Sequence, residues 1–213
     1  MPDKTRKTVS GPVRDKERTK KKLLKTVGKM IKSKGFHQLN ISNIASAASV
    51  DRKLIYEYFG NADNLISEYL RNHDFGSKIQ KLDNIDTSDN GKQVSKMLIK
   101  NMFEALATDK ELQKIIVWEI SDYNKILREL ADHREELGEK MMQAVMKPHF
   151  KENIDKYRAV LAILISSTYY LNLHRDSNGS LFCGLDIRKE SDQAVFENVV
   201  NDLIDFAYEK YAL

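Results

Sequence analysis

With 213 residues, 41% hydrophobic and 31% charged, the chain can form one or two domains with a sizeable core. A single cysteine, Cys183, excludes an intrachain disulfide framework. The N-terminus is polar and charged, unlike a secretory signal, and the apolar run from Ala159 to Ile165 is too short to span a bilayer, so a soluble cytoplasmic protein without a membrane partner is expected.

The net charge of +4 conceals an asymmetry. Residues 1–60 hold 15 basic and 5 acidic side chains, a net +10, and the remainder holds 20 basic and 26 acidic, a net −6. A basic head on an acidic body suits a chain that meets a polyanion at one end only. In chain order, residues 1–18, with Pro2, Gly11 and Pro12, read as an extended basic arm. A first helix is expected from about Thr19 to Lys34, with Leu24, Val27 and Ile31 inward and Gly35 as its stop. Phe36 and Leu39 then plug a small core.

Residues 39–59 carry the strongest pattern. Ile41, Ile44, Ala45 and Ala48 recur at i, i+3, i+4 and i+7, one stripe of a helix that Asn40 can cap. Ser49-Val50 breaks the period. Asp51 caps a second short helix whose inward residues are Ile55, Tyr58 and Phe59, which puts Arg52, Lys53, Tyr56 and Glu57 outward. Two short helices joined by a tight turn, with cations and a phenol outward, fit a helix-turn-helix that enters a major groove. An ordinary helical hairpin with a solvated charged face is the alternative. A fourth helix is expected from about Asn61 to Lys81, with Leu65, Ile66, Tyr69, Leu70 and His73 inward.

Asp83–Gly91 is rich in turn residues and marks a boundary. Beyond it, helices are expected at 92–108, 110–121, 123–147, 153–174 and 189–211, with a loop over Arg175–Arg188. The fold class is therefore all-α: an N-terminal three-helix DNA-binding domain (19–60) with a helix-turn-helix, after an arm (1–18), plus a C-terminal helical bundle (61–213). The last two helices carry stripes wider than one packed face needs. Val160, Leu161, Leu164, Ile165, Thr168 and Leu171 lie on one, and Val195, Phe196, Val199, Val200, Leu203, Ile204, Ala207 and Tyr208 on the other. Both helices could be central to the monomer, or they could also serve a partner subunit.

The chain resembles TetR-family transcriptional regulators. The likeness rests on Gly35-Phe36, Ile44-Ala45, Ala48-Ser49-Val50-Asp51, Ile55-Tyr56-Glu57-Tyr58-Phe59 and Asn61 through Leu65. Ser49 stands where that family usually has glycine, which predicts a slightly reshaped turn. The resemblance implies a homodimer on a palindromic double-stranded DNA operator, released by a small-molecule effector that enters the C-terminal bundle. It assigns Arg52 and Lys53 to base edges or phosphates, Tyr56 and Tyr58 to phosphates, and Asn40 and Ser42 to the DNA backbone. Lys20, Lys21 and Lys22 would add phosphate or minor-groove contacts. Leu54 would touch a thymine methyl or pack inward, and Glu57 would accept from a cytosine amine or pair with Lys53.

Met102, Phe103, Leu106, Trp118, Met141, Met142, Val145 and Tyr169 are candidates for an adaptable effector pocket, although plain core is the commoner role of such residues at helical spacing. No catalytic, metal or cofactor site is expected. The chain lacks His-Glu-x-x-His, paired cysteines, a phosphate loop and Gly-x-Ser-x-Gly, and Glu129, Asp132, His133 and Glu136 read as a solvated helix face. The rival reading is a DNA-binding protein whose C-terminal domain only dimerises or binds a protein, with no small effector.

Overall fold

A computed structural model describes residues 12–73, 86–177, 179 and 181–212. The expected extended arm over residues 1–11 and the reach of the fourth helix toward Lys81 lie outside the described residues. The chain forms two compact units, Met1–Asn72 and His73–Leu213. The first unit thus extends past the boundary expected after Gly60.

In the first unit, α1 spans Pro12–Lys34. It starts well before Thr19, so residues 12–18 are helix rather than arm. Proline is tolerated in a first helical turn, and Asp15 sits favourably near the positive end of the helix. Thr19 is an interior residue, and its hydroxyl donates to the Asp15 carbonyl at 2.8 Å instead of capping. Leu23, Val27, Met30 and Ile31 are buried, whereas Leu24 is only half-buried. Val27 and Ile31 thus face inward as expected, and Leu23 takes the place of Leu24. Gly35, at φ 73, ends the helix, and a 3-10 turn follows at Phe36–Gln38.

Helices α2 (Ile41–Ala48) and α3 (Arg52–Phe59) are joined through Ser49. Helix α4 spans Ala62–His73 and buries Leu65, Ile66, Tyr69 and Leu70. His73 is exposed rather than inward, because the chain has by then run past the core of this unit. Asn61 caps α4 by accepting from the Asn64 N–H at 2.7 Å, while the Asn64 amide donates to the Phe59 carbonyl at 2.8 Å. That bridge fixes the corner between α3 and α4. Gly28 of α1 is buried against the Tyr69 ring of α4.

In the second unit, α5 spans Lys92–Thr108, α6 Lys110–Ser121, α7 Lys125–Met141, α8 Ile154–Ser177 and α9 Glu190–Tyr211. The helix expected over 123–147 starts late because Asn124 is its cap, accepting from the N–H groups of Ile126 and Leu127. It then widens into a π-turn at Met142–Met146 before a last turn at Lys147–Phe150. Pro148 accounts for the widening: it has no N–H for the carbonyl four residues back, and its ring crowds that carbonyl.

The centre of this unit is aromatic. The Phe150 and Tyr157 rings stack at 4.2 Å, and Tyr208 meets them edge-on at 4.8 and 5.2 Å. Ser95 and Tyr157 share a hydroxyl hydrogen bond of 2.5 Å, and the Tyr208 hydroxyl donates to the Asn90 carbonyl at 2.9 Å. Burial pushes both phenols up, which keeps them neutral donors. Among the described residues, the one β-type pairing is the bridge between Phe182 and Leu185.

The Gly28 contact gives a sharp test. An ideal Cβ at Gly28 would collide with the Tyr69 hydroxyl and lie 2.8 Å from ring atom Cζ. Alanine ordinarily stabilises a helix interior by about 1 kcal/mol over glycine, but overpacking costs about 1–3 kcal/mol. Gly28→Ala is expected to lower the stability of the first unit by about 1–2 kcal/mol, read by chemical denaturation; a gain would mean that α1 and α4 are not in this contact.

Candidate nucleic-acid interface

Each of the two short helices has eight residues and a side-chain cap. Asn40 accepts from the Asn43 N–H at 3.0 Å, and Asp51 accepts from the Lys53 N–H at 2.8 Å. Between them Ser49 adopts the left-handed conformation, φ 50 and ψ 55. The turn is therefore not reshaped by the missing glycine. It keeps the left-handed geometry at a non-glycine position, a strain of about 1 kcal/mol. The N–H groups of Ser49 and Val50 satisfy the last carbonyls of α2, at Ser46 and Ala45.

With Ile44, Ala45, Ala48, Ile55 and Phe59 buried, the outer surface of α3 presents Arg52, Lys53, Tyr56 and Glu57, all exposed. Arg52 Nη1 donates to Ser42 Oγ at 3.3 Å, so the starts of α2 and α3 form one surface. Asn43 reinforces that edge by donating to both the backbone and the side-chain oxygen of Gln38 at 3.1 Å. Lys53 and Glu57 form no ion pair among the described residues, which leaves both charges outward. This surface combines cationic donors, a phenol and one acceptor at the width of a short helix, the chemistry that base edges and phosphates require.

Other expected contacts are placed differently. Leu54 is half-buried, so much of its side chain packs inward. Tyr58 is half-buried beneath Lys16, whose Nζ lies 5.2 Å from the ring centroid. Lys20 Nζ lies 5.5 Å from the Phe59 ring centroid, whereas Lys21 and Lys22 are exposed. The contiguous run Lys20–Lys22 is thus split by the helix: its first member braces α3 and the next two point outward. Lys16, Gln38 and Asn43 adjoin this surface and are not among the expected residues. Lys16 and Lys20 stand at i, i+4, but reading residues 12–18 as an arm obscured that pairing.

The expected pocket residues do not surround one space. Met102 and Leu106 pack with Leu112, Ile116 and Tyr169; Phe103 packs with Leu171, Ile187 and Phe196; Met141, Met142 and Val145 pack with the Phe150–Tyr157–Tyr208 core. Trp118 is half-buried on α6. A cavity of about 60 Å³ lies between α5 and α9, lined by Ile99, Phe103, Phe196 and Val200 with Lys96 and Lys100 at its edge. Both lysines are engaged, Lys96 with Asp205 at 2.6 Å and Lys100 with Glu197 at 2.5 Å.

The wide stripe of α9 divides in two. Val200, Ile204, Ala207 and Tyr208 enter the core, while Val195, Val199, Leu203 and Phe206 stay exposed. Helix α8 adds exposed Ile163 and Tyr170, which fall outside its expected stripe. Cys183 is exposed in a turn with φ 50. Carboxylates of the Glu129–Glu136 face pair along α7, Arg128 with Asp132 at 2.9 Å and Lys125 with Glu129 at 4.0 Å.

Residues 23–69 match the model of bacterial regulatory proteins of the tetR family. A curated relative, the uncharacterized HTH-type transcriptional regulator YdgC of Bacillus subtilis (strain 168), is 29% identical over 104 residues, 46% of this chain and 52% of the relative. The match thus spans about half the length of that relative. The chain therefore carries a tetR-family region over residues 23–69. Solved structures of low identity share the fold of this chain. The fatty acid degradation regulator FadR from Bacillus halodurans is 19% identical, with coverage of 94% of this chain and 97% of that one and a TM-score of 0.55. FadR from Bacillus subtilis, in complex with stearoyl-CoA, is 18% identical, with coverage of 86% and 96% and a TM-score of 0.58. The TetR-family regulator HI0893 from Haemophilus influenzae is 13% identical, with coverage of 94% and 100% and a TM-score of 0.56. No helix among the described residues is long and apolar enough to cross a membrane.

The strained turn yields a prediction for this chain. Ser49→Gly removes the left-handed penalty and leaves both caps in place. Stability is expected to rise by about 1 kcal/mol in urea unfolding; an unchanged midpoint would mean that Ser49 is not held in that conformation.

Proposed function

We propose that this chain binds a palindromic operator as a homodimer, reading the major groove with α3, and that a small molecule binding the helical C-terminal part releases it. The observation that carries the DNA reading is the outer surface of α3, where Arg52, Lys53, Tyr56 and Glu57 are exposed together on a doubly capped helical pair. Arg52 and Lys53 reach base edges or phosphates, Tyr56 and Lys21 reach phosphates, and Asn40 and Ser42 meet the backbone at the start of α2. The +10 charge of residues 1–60 supplies the long-range attraction. Dimerisation is supported by the exposed Val195, Val199, Leu203 and Phe206, which recur along one face of α9.

The expected pocket residues lie in three separate clusters rather than around one space, and the α5–α9 cavity has a volume of about 60 Å³. That separation supports a second reading, in which the C-terminal domain only dimerises or binds a protein.

The operator is found by selecting bound fragments from random duplex DNA with the purified protein. On the selected fragment, Lys53→Ala is expected to weaken binding by about 1–3 kcal/mol, measured by fluorescence anisotropy at fixed salt. Equal affinity would remove Lys53 from the docking surface. Selection repeated with a metabolite pool separates the two readings of the C-terminal domain, since only the effector reading predicts loss of bound DNA. Leu203→Glu places a charge on the exposed face of α9 and is expected to shift the protein from dimer to monomer in sedimentation. A dimer that persists would mean that this face is not the interface.

A further inference from the structure

The exposed apolar side of α9 continues past that helix. Ile163 and Tyr170 of α8 are exposed and stand seven residues apart, about two turns along one side. That side borders α9. Val160 and Leu164 pack with Phe196 and Val200, and Leu171 packs with Phe196, whereas Ile165 and Tyr169 reach the cluster of Leu112 and Ile116 on α6. Ile163, two residues before Ile165, is therefore turned from α6 toward α9. On α9, Glu197 and Asp205 pair with Lys100 and Lys96 of α5, so the exposed Val199, Leu203 and Phe206 lie on the side turned from α5. The two exposed stripes thus run side by side. They end at the turn between the helices. The Phe182 ring meets Tyr170 edge-on at 5.0 Å and His174 at 5.6 Å, and Tyr170 and His174 stack at 5.5 Å. Leu181 and Phe182 remain 57% and 40% exposed. Phe182 and Leu185 exchange N–H to carbonyl bonds of 2.9 and 3.0 Å across Cys183 and Gly184, whose φ values of 50 and 82 suit a tight two-residue hairpin.

We propose that this turn, residues 181–185, and the Tyr170–His174–Phe182 ring cluster form the outer end of a subunit interface whose occupant is a second copy of this chain. The inference rests on the dimer reading above and extends its surface from α9 onto α8 and the turn. Area calls for the extension. A stable dimer buries about 800 Å² on each partner, and even a whole aromatic side chain buries only about 150–250 Å². The four half-exposed residues of α9 therefore supply at most roughly half of what is needed. Ile163, Tyr170, Leu181 and Phe182 supply about as much again. Composition points to a copy of the same chain. A two-fold axis sets one surface against itself, so charged side chains there would meet their own sign. None of these eight side chains is charged. The turn is also held in shape in advance, by its closed hairpin and by the rings beneath it, which lowers the ordering cost of association.

The test uses the full chain carrying Leu181→Ser with Phe182→Ser, and Leu181→Ser alone. Both are compared with the unaltered chain and with Leu203→Glu by sedimentation over a concentration series. Leu181 takes no part in the ring contacts, so the single change leaves the support of the turn in place. Circular dichroism and thermal unfolding check the fold. The dimer dissociation constant is expected to rise about tenfold in the double variant and about threefold in the single one. Where the double variant loses helicity, the single variant decides by the same measure. Dissociation constants equal to that of the unaltered chain, with Leu203→Glu monomeric, would overturn the outer end and leave the α9 face standing. An unaltered chain that sediments as a monomer, or a Leu203→Glu variant that stays dimeric, would instead overturn the dimer reading beneath it.

Discussion

The DNA-reading head depends on the docking of α2 and α3 onto the buried side of α1. Helices of eight residues do not persist alone in water, because the cost of nucleation is recovered only over longer runs. Here Leu23, Val27 and Ile31 of α1, Ile44 and Ala48 of α2 and Ile55 of α3 are all essentially removed from solvent. Small side chains at Ala45 and Ala48 allow close approach. Caps at Asn40 and Asp51 satisfy the first N–H groups, so packing has only to offset the remaining chain entropy. Everything that faces outward on α3 is held in place by this inward packing.

The second unit is organised by a different balance. Its aromatic centre carries hydroxyls that are hydrogen-bonded to Ser95 and to the Asn90 carbonyl, which ties the turn before α5 to α8 and α9. Across its surface, Lys96 with Asp205 and Lys100 with Glu197 join α5 to α9. These pairs occupy the cations that edge the small cavity. The acidic excess of residues 61–213 contrasts with the basic excess of residues 1–60.

Much of this was legible in advance, for reasons that can be named. The limits of α2, α3, α5 and α6 followed from caps and period breaks, all of them interactions within four residues. The inward set of α3 was right at Ile55 and Phe59. The wide stripe of α9 left a monomer core and a partner face equally open, and the structure places Val200, Ile204, Ala207 and Tyr208 inside and leaves Val195, Val199, Leu203 and Phe206 exposed. The start of α1 was misplaced because Gly11, Pro12 and the polar residues after them read as an extended arm, whereas Pro12 stands in the first turn of the helix. The pocket set was not brought together, because methionine and aromatic residues at helical spacing suit a core as well as a ligand wall.

The amino-acid sequence by itself determined the helical class, the caps, the helix-turn-helix and the charge asymmetry. Each arises from hydrogen bonding, periodicity or composition along a short stretch of chain. Only the tertiary structure decided that Leu23 rather than Leu24 faces in, that Lys16 and Lys20 brace α3, that Ser49 keeps a glycine-like turn, and which half of α9 is covered. Those outcomes depend on partners distant along the chain, whose packing selects one of several arrangements that the local sequence permits equally.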